Sequence, residues 1–387
     1  MNPIRVMCAL VLLFVLACAD GSRQGTETTA TTPPLASTTA VGPGTTADGT
    51  TQPADSTTTL AAMAPPTFES LAGIHTIRDF SGLTSQGFGL WQESVPGIQD
   101  IRITSTADGT DQPALWLPPA GDQDRPLIVI LHSSSAEYLQ HAGIPYAMFA
   151  AENGWAVIAP QFRGVNDHPE AMGSELAVQD VIDAIDFAVA QEGVDPSRVY
   201  TVGYSGGGTM SLLLAGRHPD RVTAVVAWGP PYDLIAFYQQ SLQAGRHYAP
   251  DIIAACGGDP TADSAAEADC LQRSPLTHLD TAREQAVPVF IAQGLHDSIL
   301  SPSHGSRAFN QLANPEDQFT QEQLDQLASG VIPADLAEPI STESFFGVGD
   351  PAPVLARQSA KVWLVLFDAD HDMAYHPTLR WYAADPQ

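Results

Sequence analysis

The stretch "RVYTVGYSGGGTMSLLLAG", Arg198 to Gly216, runs from β-branched and aromatic residues through a serine set among glycines into a small-residue, leucine-rich segment. A glycine-rich turn between strand and helix can hold a phosphate, present a nucleophile, or simply turn. A phosphate loop needs a lysine and then Ser or Thr after its last glycine, but Gly208 is followed by Thr209-Met210. A dinucleotide-binding turn needs a third glycine where Ser211 stands. Neither pattern fits. Gly203-Tyr204-Ser205-Gly206-Gly207 does fit G-x-S-x-G, and its flanks supply the strand before and the helix after that a nucleophile elbow requires. So tight a turn needs small residues two before and two after the serine, where Gly203 and Gly207 stand. Ser205 is then expected in strained backbone geometry, with its hydroxyl pointing out of the sheet.

A serine hydroxyl is a weak nucleophile at its own pKa and needs a base, usually a histidine oriented by a carboxylate. The apolar run Val289–Ala292 leads into "QGLHDSILSP", which puts Asp297 just past a strand's carboxyl end. The run Val362–Phe367 leads into "LFDADHDM", which puts His371 at the same edge. Ser205, Asp297 and His371 thus occupy the tips of separate strands, the edge of an open α/β sheet where sites form. Asp233 is the rival acid, and His296 and His376 are rival bases. Asp368, Asp370, His371 and Asp372 also have the composition of a metal cluster, but no second histidine-bearing motif completes it. The triad chemistry calls for no metal and no cofactor. The oxyanion needs N–H donors, expected from Gly206 and from Ser133 in the loop "LHSSSAEY". Tyr204, Trp228 and Tyr232 are the expected substrate contacts, with Phe237 and Tyr238 nearby; aromatic residues here serve equally well as the core of a cap.

Outward from the elbow, strand-like and helix-like segments alternate. Ile101–Thr104 and Ala114–Leu117 suggest an opening antiparallel pair, and Leu127–Leu131 and Ala156–Ala159 are runs of the kind buried on both faces. Ser174 is a fitting N-cap for a helix that stops before Gly193. The alternation predicts an α/β fold, a mostly parallel sheet flanked by helices. Two long connections interrupt it: residues 232–286, read as a cap over the site, and residues 310–356, an extra helical excursion. Cys256 and Cys270 both fall in the cap and are expected to form a disulfide.

Residues 1–18 read as an export signal. A positive start precedes an apolar run, Val6–Ala17, too short for the roughly 20 residues that span a bilayer. It ends in Val15-Leu16-Ala17-Cys18, which resembles a bacterial lipobox with Cys18 as the lipidated residue; an ordinary export signal is the alternative. Residues 19–66, rich in Thr, Pro, Gly and Ser, cannot bury enough apolar surface to order themselves and are expected to be a tether. Residues 67–387 then form the folded domain, held at a bacterial envelope through its lipid anchor. The net charge of −28, with Lys361 the only lysine, argues against a nucleic-acid partner.

The residues "PQFRG" (Pro160–Gly164), "GYSGGG", "GLHD" and "DADHDM" together resemble an α/β-hydrolase. Within that superfamily they are most similar to the catalytic domain of the prolyl-oligopeptidase and dienelactone-hydrolase branches. The resemblance covers about residues 127–375. It implies Ser205 as nucleophile, Asp297 as orienting acid and His371 as base, acting through an acyl-enzyme on a small ester or a peptide. Many esterases have His-Gly-Gly where this chain has His132-Ser133-Ser134. Too few residues precede the first strand for the propeller with which prolyl oligopeptidases sieve peptides, which favours small esters over peptides. A binding lipoprotein that kept the fold without catalysis is the alternative of another class.

Overall fold

The computed structural model describes residues 65–82, 84–337 and 351–386. The expected export segment with Cys18, nearly all of the tether and part of the 310–356 insertion lie outside the described residues. In chain order the strands are β1 (Gln99–Thr104), β2 (Asp111–Leu117), β3 (Arg125–Leu131), β4 (Ala156–Pro160), β5 (Val194–Tyr204), β6 (Ala224–Trp228), β7 (Val289–Gly294), β8 (Pro353–Ser359) and β9 (Val362–Phe367). The helices are α1 (Ile77–Phe80), α2 (Phe88–Ser94), α3 (Ile144–Asn153), α4 (Glu175–Val189), α5 (Gly206–Arg217) and α6 (Leu234–Gln243). They continue with α7 (Tyr248–Cys256), α8 (Ser264–Gln272), α9 (Leu279–Glu284), α10 (Ser303–Leu312), α11 (Gln321–Ala328) and α12 (Tyr375–Ala383).

The strands form one sheet in the order β1-β2-β4-β3-β5-β6-β7-β9-β8. The six strands from β4 to β9 in that order are parallel, and β1, β2 and β8 pair antiparallel at the two margins. Strand β8 was not foreseen: its mixed "PVLARQS" lacks the continuous apolar run of the central strands, because an edge strand is buried less. Helices cover both faces. Side chains of α4, α5, α9 and α10 pack on one face, and those of α2, α3 and α12 on the other.

The period of two along a strand assigns each side chain to a face. In β6, Val225 and Ala227 join the α5 side, whereas Val226 and Trp228 join the α12 side. Tyr204, the register partner of Trp228, follows it there. Ser174 caps α4, its hydroxyl accepting from Ala177 N–H at 3.1 Å.

Between β6 and β7, helices α6, α7 and α8 enclose a small apolar cluster of their own around Leu234, Phe237 and Ile252. Cys256 and Cys270 join α7 to α8 by a disulfide. Helix α9 turns back onto the main core through Leu279 and Ala282, so the insertion's own layer ends at α8. Among the described residues, no helix is long and apolar enough to cross a membrane.

Candidate active site

β5 ends at Tyr204 and α5 begins at Gly206, leaving Ser205 alone in the turn with φ 55° and ψ −117°. That left-handed geometry is strained for a residue with a side chain, and the surroundings impose it. Ser205 N–H donates to Trp228 O at 2.7 Å. A methyl group on Gly203 would strike the carbonyl of Gly207, and one on Gly207 would strike that of Leu131. Only hydrogen fits at either place.

His371 follows β9, and Asp297 follows the neighbouring β7. Asp297 Oδ2 lies 2.7 Å from His371 Nδ1, and both side chains are almost fully buried. The other carboxylate oxygen of Asp297 accepts from Ile299 N–H at 2.9 Å and Leu300 N–H at 2.8 Å. A carboxylate oxygen facing Nδ1 fixes the ring with its proton on that nitrogen. Among the described residues no hydrogen bond engages His371 Nε2, which leaves it available to a nucleophile; such contacts commonly tighten only when substrate binds.

The rival residues are placed elsewhere. Asp233 caps α6, accepting from Ile235 N–H and Ala236 N–H. His296 is exposed and pairs with Asp368 at 3.4 Å. His376 stacks on Phe68. Of the carboxylates near the base, Asp370 is a brace: its Oδ1 accepts from both His371 N–H and Ser298 N–H at 2.7 Å, tying the base loop to the acid loop. Burial raises its pKa, but these donors outweigh burial and hold it below the usual carboxylate range. Among the described residues no group of three His, Cys, Asp or Glu is arranged to hold a metal ion.

The oxyanion side differs from expectation by one residue. Ser133 N–H is already spent on Gln140 Oε1 at 2.9 Å, and Gln140 returns a bond to Ser133 Oγ at 2.9 Å. Ser134 is the residue that faces the elbow. A methyl group on Gly206 would sit 2.8 Å from Ser134 N and would strike Ser134 Oγ. Gly206, first in its helix, has an N–H with no intrahelical acceptor. Ser134 N therefore lies close against Gly206, next to Ser205 in the chain.

The three expected substrate contacts do not line this place. Trp228 is buried behind the sheet, its Nε1–H donating to Thr378 Oγ1 at 2.8 Å and its ring stacked on Phe367. Tyr204 lies on the same face, with its ring centroid 4.8 Å from that of His371 and its hydroxyl donating to His371 O at 3.1 Å. Tyr232 turns toward α10, where its hydroxyl donates to Gln311 Oε1 at 2.7 Å. The alternation of β5 and β6 forces the first two away from the cleft. Beside Gly206 and Ser134 the lining is instead Phe162, Met172, Phe237, Tyr248 and Ile252. Of these, only Phe237 stood among the aromatic candidates. Tyr238 shares the cap's core with Phe237 but does not line this place.

Arg78 was also missed. From α1 its Nε donates to Asp372 Oδ2 at 2.8 Å and its Nη2 to His371 O at 3.3 Å. No local pattern links residues so far apart in sequence.

Residues 145–326 match the prolyl oligopeptidase family. The chain is a serine hydrolase with the α/β-hydrolase fold. The hydrolase is 25% identical over 262 residues to feruloyl esterase B of Thermothelomyces thermophilus, covering 65% of this chain and 87% of the esterase. It is 26% identical over 230 residues to acylamino-acid-releasing enzyme 2 of Oryza sativa subsp. japonica, covering 54% of this chain but only 28% of that one. Among solved structures it is similar to the acylaminoacyl peptidase of Pyrococcus horikoshii, with a TM-score of 0.46 and 17% identity over 59% of this chain and 37% of that one. The hydrolase thus spans most of the esterase and less than a third of the rice enzyme.

Proposed function

We propose that the hydrolase cleaves carboxylic esters with a compact apolar acyl or alcohol part, through an acyl-enzyme on Ser205. The observation that carries this reading is the apolar lining of Phe162, Met172, Phe237, Tyr248 and Ile252, which adjoins Gly206 and Ser134 beneath the cap helices. His371 Nε2 takes the Ser205 proton as Oγ attacks the ester carbonyl, and Asp297 stabilises the resulting imidazolium. The carbonyl oxygen, now negative, is received by the N–H groups of Gly206 and Ser134. Collapse of the tetrahedral intermediate sends the proton from Nε2 to the departing alcohol, and a water molecule repeats the sequence to release the acid.

The test compares p-nitrophenyl acyl esters with proline and alanine p-nitroanilides, with a fluorophosphonate to label the nucleophile. The expected result is turnover of the esters and labelling of the wild type but not of Ser205→Ala. A clear preference for the nitroanilides would make this a peptidase instead.

Placement at a bacterial envelope belongs to the same proposal. It is supported by the lipobox-like Val15-Leu16-Ala17-Cys18 and by the Cys256–Cys270 disulfide, a bond favoured outside the reducing cytosol. Metabolic labelling with a fatty acid should mark the wild type and leave Cys18→Ala unmarked.

A further inference from the structure

Asn166 has no part in the triad, yet it lies against the elbow. A methyl group on Gly206 would sit 2.9 Å from Asn166 Nδ2, beside Ser134 N. The side chain is buried, and its orientation is set from behind: Asn166 Oδ1 accepts from Met172 N–H at 3.0 Å, so the amide nitrogen must face Gly206. Asn166 N–H also donates to Ser134 O at 2.8 Å, which ties the residue to the loop that carries the second oxyanion donor. The one acceptor for Nδ2 among the described residues is Ser134 Oγ at 3.4 Å, a long contact that leaves its second hydrogen unengaged. A buried amide hydrogen without a good acceptor is costly unless a ligand supplies one.

The chain leading to Asn166 is itself under strain. Phe162, Arg163 and Gly164 have φ values of 32°, 76° and 79°, three left-handed residues in a row. The turn is held because the Arg163 guanidinium is pinned between two carboxylates, Nε to Asp180 at 2.6 Å and Nη1 to Asp108 at 2.7 Å. Phe162 meanwhile stacks on His132 with 3.8 Å between ring centroids. A strained segment persists only where its surroundings over-determine it, and such segments gather at sites of chemistry.

We infer that Asn166 Nδ2 is a third hydrogen-bond donor to the carbonyl oxygen of the bound acyl group, acting with the N–H groups of Gly206 and Ser134. The donor matters most when that oxygen becomes an oxyanion, so its removal lowers kcat and leaves KM nearly alone. The inference rests on Ser205 as nucleophile. That reading fails on its own if Ser205→Ala keeps wild-type turnover.

The experiment measures kcat and KM for p-nitrophenyl butyrate, together with inhibition by an alkyl trifluoromethyl ketone, whose hemiketal with Ser205 places an oxyanion in the same hole. Asn166→Ala should lose about 100-fold in kcat, the scale of one oxyanion donor. Asn166→Asp keeps the acceptor for Met172 N–H while replacing the amide donor with a carboxylate. It should lose at least as much, with an unchanged melting temperature, and its ketone inhibition constant should rise by a similar factor. An Asn166→Asp enzyme with wild-type kcat overturns the inference, even if Asn166→Ala is inactive through misfolding. So does a change carried by KM with kcat preserved.

Discussion

Acidification should weaken this fold through His304, which has no role in the triad. The ring is buried at the start of α10, and burial lowers its pKa from 6.5 to about 4. Its Nδ1 accepts the Tyr232 N–H at 3.1 Å, with the Asp233 N–H 3.5 Å away. A proton on Nδ1 would turn that acceptor into a donor facing donors. The folded state therefore stays unprotonated down to about pH 4, whereas the unfolded chain takes up a proton near 6.5. Between those values the unfolded state binds more protons, so stability falls as pH falls. The contribution is whole above about 6.5 and lost on the way down to about 4; at about 1.4 kcal/mol per pKa unit it amounts to about 3 kcal/mol. Buried His132, also lowered by burial, adds a loss of the same sign. Asn in place of His304 offers an oxygen near the position of Nδ1 and does not titrate. Urea unfolding followed at several pH values from 7.5 to 4 should show a steeper decline for the wild type than for His304→Asn. Parallel profiles would refute the assignment.

Two further outcomes are expected. Asp297→Asn should cut kcat on p-nitrophenyl butyrate by about 10⁴-fold, because an amide no longer holds His371 in the working tautomer; Asp233→Asn, which remains a good helix cap, should turn over like the wild type. Steady-state rates of the two variants decide between the acids. The Cys256–Cys270 bond closes a loop with a sequence separation of 14. Reduction, or a double change to serine, should cost about 3 kcal/mol in chemical unfolding and raise KM by loosening α7, which carries Tyr248 and Ile252. An unfolding midpoint unmoved by dithiothreitol would count against this.

The elbow was legible because its constraint is local. The clash that excludes any side chain at Gly203 involves Gly207, four residues on, so strand, turn and glycines stand together in one short string. Asp297 and His371 were legible for a related reason: each follows an apolar run that only a buried parallel strand explains, and strand ends share one edge. That the Ser133 N–H is engaged was not legible, because Gln140 consumes it in a contact made across a loop.

Local spacing, then, was enough for the α/β alternation, the nucleophile turn and the order of its partners, since periodicity and turn sterics act over a few residues. The faces of Tyr204 and Trp228 were in principle countable along their strands, but which helices cover each face is set by the tertiary structure, not by the count. Only tertiary structure brought Arg78 to the carbonyl of His371, pinned Arg163 between Asp108 and Asp180, and aimed Asn166 at Gly206. Contacts between residues far apart in sequence leave no periodic trace. They exist only once the sheet has ordered its strands and closed the distances between them.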